Sequence, residues 1–222
     1  MLVGHFAIGL IAKRATPRVS LGTLTFASML PDLLGFVFII IGQEHWRMVP
    51  GGRGIESMEL YDIGLSHSMA MDALWGIVFA AFYGSRRRYG AGALMLFAAV
   101  VSHWVLDFVS HRPDMPLAPG VTRVYGLGLW TSLPWTLAVE GGLWLASLIV
   151  YVRLTSAKNR AGVYMFWLVV ALLTASWISN FTVSPPAAQS PISGSTVALV
   201  FFSLMVAWAF WMNRSRPVIH GA

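Results

Sequence analysis

Long apolar runs, broken by short charged segments, set the pattern of this chain. Six of them are long enough to cross or nearly cross a bilayer, at residues 21–42, 66–84, 89–110, 129–152, 163–181 and 197–212, given that a spanning helix needs about 20 mostly apolar residues. A seventh run, residues 2–12, is too short to cross alone and is expected to be a short intramembrane helix. The runs do not alternate polar with apolar residues as the strands of a transmembrane barrel do. The pattern therefore predicts an all-α, polytopic transmembrane helical bundle of about six spans plus the amino-terminal helix. No internal repeat is visible. The uncharged segment 184–195, rich in Pro and Ser, is expected to be a flexible exterior connection.

Composition agrees with a membrane solvent. Of 222 residues, 57% are hydrophobic and 11% charged, against about 25% charged in an ordinary soluble domain. The length suits one integral membrane domain over residues 1–222, with the chemistry expected in 1–120 and scaffold spans in 121–222. The absence of cysteine excludes disulfides, thiolate metal sites and cysteine nucleophiles. The amino terminus lacks a basic region and a small-residue cleavage site, so no removed signal peptide is expected.

The net charge of +6 does not point to nucleic acid, because the basic residues fall in short clusters between the apolar runs. Eleven of the 15 lie on one side: Lys13, Arg14, Arg18, Arg86, Arg87, Arg88, Arg153, Lys158, Arg160, Arg214 and Arg216. The other side holds Arg47, Arg53, Arg112 and Arg123 with five acidic residues. By the positive-inside rule the first side, with the carboxyl terminus, is expected to be cytoplasmic, in the inner (plasma) membrane.

The few remaining ionisable groups are the chemistry. His5, Asp32, Asp72, His103, Asp107 and Glu140 sit within apolar runs, and His67 sits at the edge of one. Charges in hydrocarbon are expensive, and such groups mark functional sites by default. A rise of about 1.5 Å per residue puts Asp32 roughly 16 Å from the basic edge of its span, near the midplane. His103, Asp107 and His111 recur every four residues and share one helix face. Each position also has a structural reading. His5 and His67 could be packing or capping residues. Asp32 could cap a helix restarting after Pro31. Glu140, before Gly141 and Gly142, could be a tolerated neutral carboxyl. His111 and Asp114, beside Pro113 and Pro116, suit solvated capping as well as ligation. The His103/Asp107 pair is hardest to explain that way, since its apolar neighbours offer two buried polar groups no partner. His45, His220, Glu44, Glu56, Glu59 and Asp62 are expected to be solvated loop residues. Taken together, the His and Asp residues suit a divalent metal, which would neutralise the carboxylates; a proton or ion relay would use the same residue types.

At Gly4-His5, Leu30-Pro31-Asp32, Ser66-His67-Ser68 and Ser102-His103-Trp-Val-Leu-Asp107 the sequence resembles the membrane-bound metal-dependent hydrolases of the YdjM type, over roughly residues 1–120. It departs from their pattern at Leu33-Leu34, where a second Asp often follows, and at Ser66, where Thr is usual. The same order is similar to the ligand order of bacterial zinc-dependent phospholipase C and the fungal zinc nucleases. That similarity implies His5, Asp32, His67, His103 and Asp107 as ligands, with Asp107 able to bridge two ions and His111 a further candidate.

The reading is a membrane-embedded hydrolase with a divalent ion, zinc first and Mn or Mg next, acting on a lipid or lipid-linked ester or phosphoester from the exterior side. Asp72 is expected to accept the proton from the attacking water. Two other classes remain open: a non-catalytic adaptor or scaffold with a structural polar or metal cluster, and an ion or proton transporter.

Overall fold

A computed structural model describes residues 1–49, 54–183 and 190–219, without the side chains of residues 55 and 56. His220 and residues 184–189 of the uncharged connection lie outside the described residues.

The expected apolar runs form helices: α1 (Leu2–Ala15), α2 (Leu21–Ile40), α3 (Met69–Arg87), α4 (Gly90–Ser110), α5 (Leu133–Thr136), α6 (Gly142–Leu154), α7 (Arg160–Thr182) and α8 (Pro191–Ser215). Capping residues set several starts. Ser20 accepts the Thr23 amide at 3.0 Å, Ser68 accepts that of Met71 at 3.4 Å and Asn159 accepts that of Gly162 at 3.0 Å. Helix α8 begins six residues before the apolar run of 197–212, because Pro191 stands near its first position, where a missing N–H costs nothing. Helix α2 gives way to a glycine, Gly42, at φ +75°, a conformation a Cβ would strain.

Among the described residues, five segments are long and apolar enough to cross a membrane: α2, α4, residues 133–154, α7 and α8. The expected span at residues 66–84 is helical as α3, but Asp72, Arg86 and Arg87 lower its hydropathy below the others. Residues 133–154 form one span interrupted by a π-helical turn, Leu137–Gly141, between α5 and α6. Apolar side chains also cover the outside of the bundle: Leu94 is 69%, Trp135 66% and Val197 72% exposed. A helix bundle that is apolar on both its inner and outer faces is built for lipid.

Helix α1 packs against α2, α4, α6 and α7, burying Val3, Phe6, Ala7 and Leu10. Its neighbours there include Trp144, Tyr151 and Phe166 from α6 and α7, with Phe202 from α8. Toward the end that carries Lys13 and Arg14, a second apolar layer of Ala12, Val19, Leu24, Ala27, Leu96, Ala99 and Val100 fills the space between α1, α2 and α4.

The opposite end has structure that the runs do not foretell. Strands β1 (His45–Met48) and β2 (Met58–Asp62) pair antiparallel, and β3 (Met115–Pro116) pairs with β4 (Val124–Tyr125). Trp46 points inward from β1 and its indole N–H donates to Ser195 Oγ on α8 at 3.2 Å. This ties the hairpin over the space between α2 and α8.

Candidate metal centre

Helix α4 carries the centre of the site. Its His103 and Asp107, one turn apart, are both buried, with Asp107 Oδ2 3.1 Å from His103 Nε2. The other ring nitrogen, Nδ1, lies 2.8 Å from the Ser28 carbonyl of α2. A carbonyl only accepts, so Nδ1 carries a proton, and in the neutral ring the lone pair is then on Nε2. That Nε2 also lies 3.6 Å from Asp32 Oδ1, yet it makes no hydrogen bond. A buried imidazole lone pair between two carboxylates, its far side held by a backbone carbonyl, has the form of a metal ligand with an oriented partner.

Two ligand triads meet at His103. One is His5, His103 and Asp107; the other is Asp32, His67 and His103, and within each triad the ligating atoms lie within 4.8 Å of one another. His5, on α1, stacks face to face on His103 with ring centroids 3.7 Å apart and its Nε2 3.1 Å from Asp107 Oδ1. The Met1 amino nitrogen lies 3.0 Å from that Nε2 and 3.4 Å from Ser110 Oγ, and also contacts Asp107. His67 stands just before the Ser68 cap of α3 with Nε2 3.3 Å from Asp32 Oδ1. Its approach to α2 requires Gly35, where a Cβ would lie 3.0 Å from His67 Cε1 and 2.9 Å from Ser66 Oγ. All five ligands expected from the sequence thus converge. The donor set is nitrogen and carboxylate oxygen, which fits zinc.

The other candidates take different places. His111, at the carboxyl end of α4, lies with Nε2 3.8 Å from Asp107 Oδ1, and its Nδ1 is 3.2 Å from Asp114 Oδ1; it belongs to neither triad. Asp72 is fully buried but faces away from the opening. Its Oδ2 accepts the Trp104 backbone amide at 3.2 Å, and Oδ1 has no hydrogen-bond partner among the described residues. Glu140, in the π-helical turn, accepts the Gly4 amide at 3.3 Å and the Trp130 indole N–H at 3.2 Å. Gly4 is in the first turn of α1, whose amides have no partner within the helix. Glu140 therefore anchors α1, and with it His5, from the neighbouring span. His45 and Asp62 are exposed, as expected, and Glu59 pairs with Arg47 on the hairpin; the Glu56 side chain lies outside the described residues.

Glu44 is a correction. Expected in solvent, it is only 1% exposed. Its Oε1 accepts the Leu65 and Ser66 amides, each at 2.8 Å, and its Oε2 accepts the Ser66 hydroxyl at 2.5 Å. It stands two residues past Gly42 with no periodic neighbour to mark it, so only the folding-back of the 63–67 loop reveals it.

A cavity of about 520 Å³ opens on this cluster. His5, Asp32, His67, Asp107 and His111 form one wall, and Phe36, Ile39, Trp46, Leu60, Phe201 and Phe202 are among the apolar residues of the rest. Asp72 and Glu140 do not line it. Asp32, with its side chain 20% exposed, is the cluster residue most open to the cavity.

A multispan helical bundle with a His/Asp cluster along one wall of an apolar cavity describes a class of membrane protein. The YdjM inner membrane protein family matches the chain over residues 1–183, and the chain belongs to that family. Among curated proteins and among solved structures, none matches the chain.

Proposed function

We propose that this protein is a membrane-embedded, metal-dependent hydrolase that acts on a lipid or lipid-linked ester or phosphoester. The observation that carries the reading is the buried Nε2 of His103, which faces Asp32 and Asp107, two carboxylates that line a largely apolar cavity. His5, Asp32, His67, His103 and Asp107 would hold the ion, zinc by donor type. Bound there, a divalent ion lowers the pKa of water toward neutrality and polarises a carbonyl or phosphoryl oxygen.

The protein's own groups do the rest. The cavity lies within the range of about 300–1,000 Å³ typical of small-molecule sites, and its apolar wall from α2 and α8 suits an acyl or isoprenoid chain. Its polar wall would then face the ester. His111 lines that wall with Nδ1 toward the Asp114 carboxylate, the arrangement of an oriented general base that takes a proton at Nε2 and returns it to the leaving group. Asp72, off the cavity, would hold the α4 backbone at Trp104 instead of accepting that proton. The apolar layer of Leu24, Ala27, Leu96, Ala99 and Val100 beneath the cluster supports a blind site over a transmembrane passage. With the basic clusters cytoplasmic, as charge asymmetry favours, the cavity takes substrate from the exterior leaflet.

The test is elemental analysis of purified protein, wild type against His103→Ala, with the lipid products formed on mixed phospholipid vesicles measured by mass spectrometry. About one or two divalent ions per chain in the wild type, lost in the variant together with chelator-sensitive hydrolysis, is expected. A metal-free wild type sinks the reading.

A further inference from the structure

We propose that Glu44 is a positioning residue that sets the tautomer of His67 through Ser66, so that the Nε2 lone pair of His67 points at Asp32 to receive a divalent cation; the proposal rests on the metal-hydrolase reading above. The chain of contacts is short, and it is buried from Glu44 through Ser66 to His67. Ser66 Oγ lies 2.5 Å from Glu44 Oε2 and 2.6 Å from His67 Nδ1, and His67 Nε2 lies 3.3 Å from Asp32 Oδ1.

Proton counting fixes the direction. Glu44 receives three donors, two of them backbone amides, and a carboxylate so placed only accepts. Ser66 owns a single hydroxyl proton, and that proton goes to Glu44. Its oxygen can then meet His67 Nδ1 only by accepting from it. The neutral imidazole therefore carries its proton on Nδ1 and none on Nε2. Nothing else near His67 would impose this choice: toward Asp32 alone the ring would turn a proton to the carboxylate. The same logic holds His103, where the Ser28 carbonyl takes the Nδ1 proton. Two imidazoles are thus turned, by unrelated partners on different elements, to offer bare nitrogens to the same Asp32. Such outer partners of metal-binding histidines commonly alter metal affinity by about 10–100-fold.

Glu44→Gln is the informative variant, because its geometry inverts the relay without changing its shape. The Gln carbonyl can keep the Leu65 and Ser66 amides while its amide N–H donates to Ser66 Oγ. Ser66 then gives its own proton to Nδ1, and His67 must carry its proton on Nε2. Protein labelled with ¹⁵N-histidine and stripped of metal reports the tautomer by NMR, with His67→Gln assigning the signals. Zn²⁺ affinity is read in parallel by competition with a chromophoric chelator.

The expected result is an Nδ1–H tautomer in wild type and in Ser66→Thr, an Nε2–H tautomer in Glu44→Gln, and Zn²⁺ affinity lower by about 10–100-fold in that variant alone. If Glu44→Gln does not fold, Ser66→Ala serves, since loss of the hydroxyl leaves Asp32 as the only partner for a His67 proton and gives the same switch. An Nε2–H tautomer in wild type, or unchanged tautomer and affinity in the variants, overturns the relay. A wild type that binds no Zn²⁺ while the tautomer still switches removes the metal reading and leaves the relay as a purely structural device. The two failures are therefore distinguishable.

Discussion

Asp107 divides its two oxygens between the two stacked imidazoles of its triad. Oδ2 faces His103 at 3.1 Å, while Oδ1 faces His5 at 3.1 Å and His111 at 3.8 Å. One residue thus touches both rings of the stacked imidazole pair, which makes it the least replaceable candidate ligand. Asp107→Asn keeps the shape and loses the charge. We expect it to lower Zn²⁺ affinity at least 10–100-fold, measured by chelator competition, with an unchanged circular dichroism spectrum; wild-type affinity would remove Asp107 from the ligand set. Gly35→Ala is a test of position alone, as its Cβ would press on His67 Cε1 at 3.0 Å. It should weaken Zn²⁺ binding although Gly35 has no side chain to ligate, and unaltered binding would mean that His67 yields without cost. The five residues of the cluster were legible in the sequence because an ionisable side chain stands out in an apolar run. Glu44 was not, since a glutamate after a helix end looks like any solvated loop residue until the 63–67 loop folds over it. Asp72 was legible as a buried carboxylate but not as one that faces the α4 backbone, because sequence position gives depth and not direction.

Helix spans were legible from length and hydropathy, whereas the features that aim side chains were not. The π-helical turn at Leu137–Gly141 leaves no mark in hydropathy, yet it brings Glu140 to the first turn of α1. A π-turn inside a helix frequently marks a functional position. Here its effect is on an element: Glu140 ties the Gly4 amide and the Trp130 indole, so α1 starts where His5 reaches His103. Glu140→Ala leaves the buried Gly4 amide without a partner, at a cost of about 1–3 kcal/mol, and frees the part-buried Trp130 indole N–H as well. Thermal unfolding in detergent should show that loss, together with weaker Zn²⁺ binding as His5 loses its fixed place. A variant as stable as the wild type would show that water or neighbouring groups replace the carboxylate. The β1–β2 hairpin was missed for a different reason. Its alternation is only four residues long in His45–Met48, too brief to stand against the long helical runs around it.

At the scale of the molecule, the cluster joins elements that are far apart in the chain: His5 from α1, Asp32 from α2, His67 from the loop before α3, and His103 with Asp107 from α4. Orientation in the membrane is tested by cysteine labelling, because the native chain has no cysteine. An impermeant maleimide in intact cells should label Tyr61→Cys and spare Arg87→Cys; the reverse would invert the bundle. The ion itself should act on the stability of the whole bundle. Without it, the carboxylates and imidazoles of the cluster have only one another to compensate their polarity in a water-poor interior, where burial is costly. With it, a ligand that binds only the folded state stabilises by about 2.7 kcal/mol at a free concentration 100 times its Kd. For a chain of this size that is a shift of roughly 5–10 °C in Tm. We expect chelation to lower the wild-type Tm by about that amount and to leave Asp107→Asn unmoved, since the variant has little ion to lose. A cluster that only fixes helix packing predicts the opposite balance, because in hydrocarbon the charge itself is the expense and the amide relieves it. A wild type indifferent to chelator, with Asp107→Asn melting higher, would therefore replace the metal centre by a structural polar core.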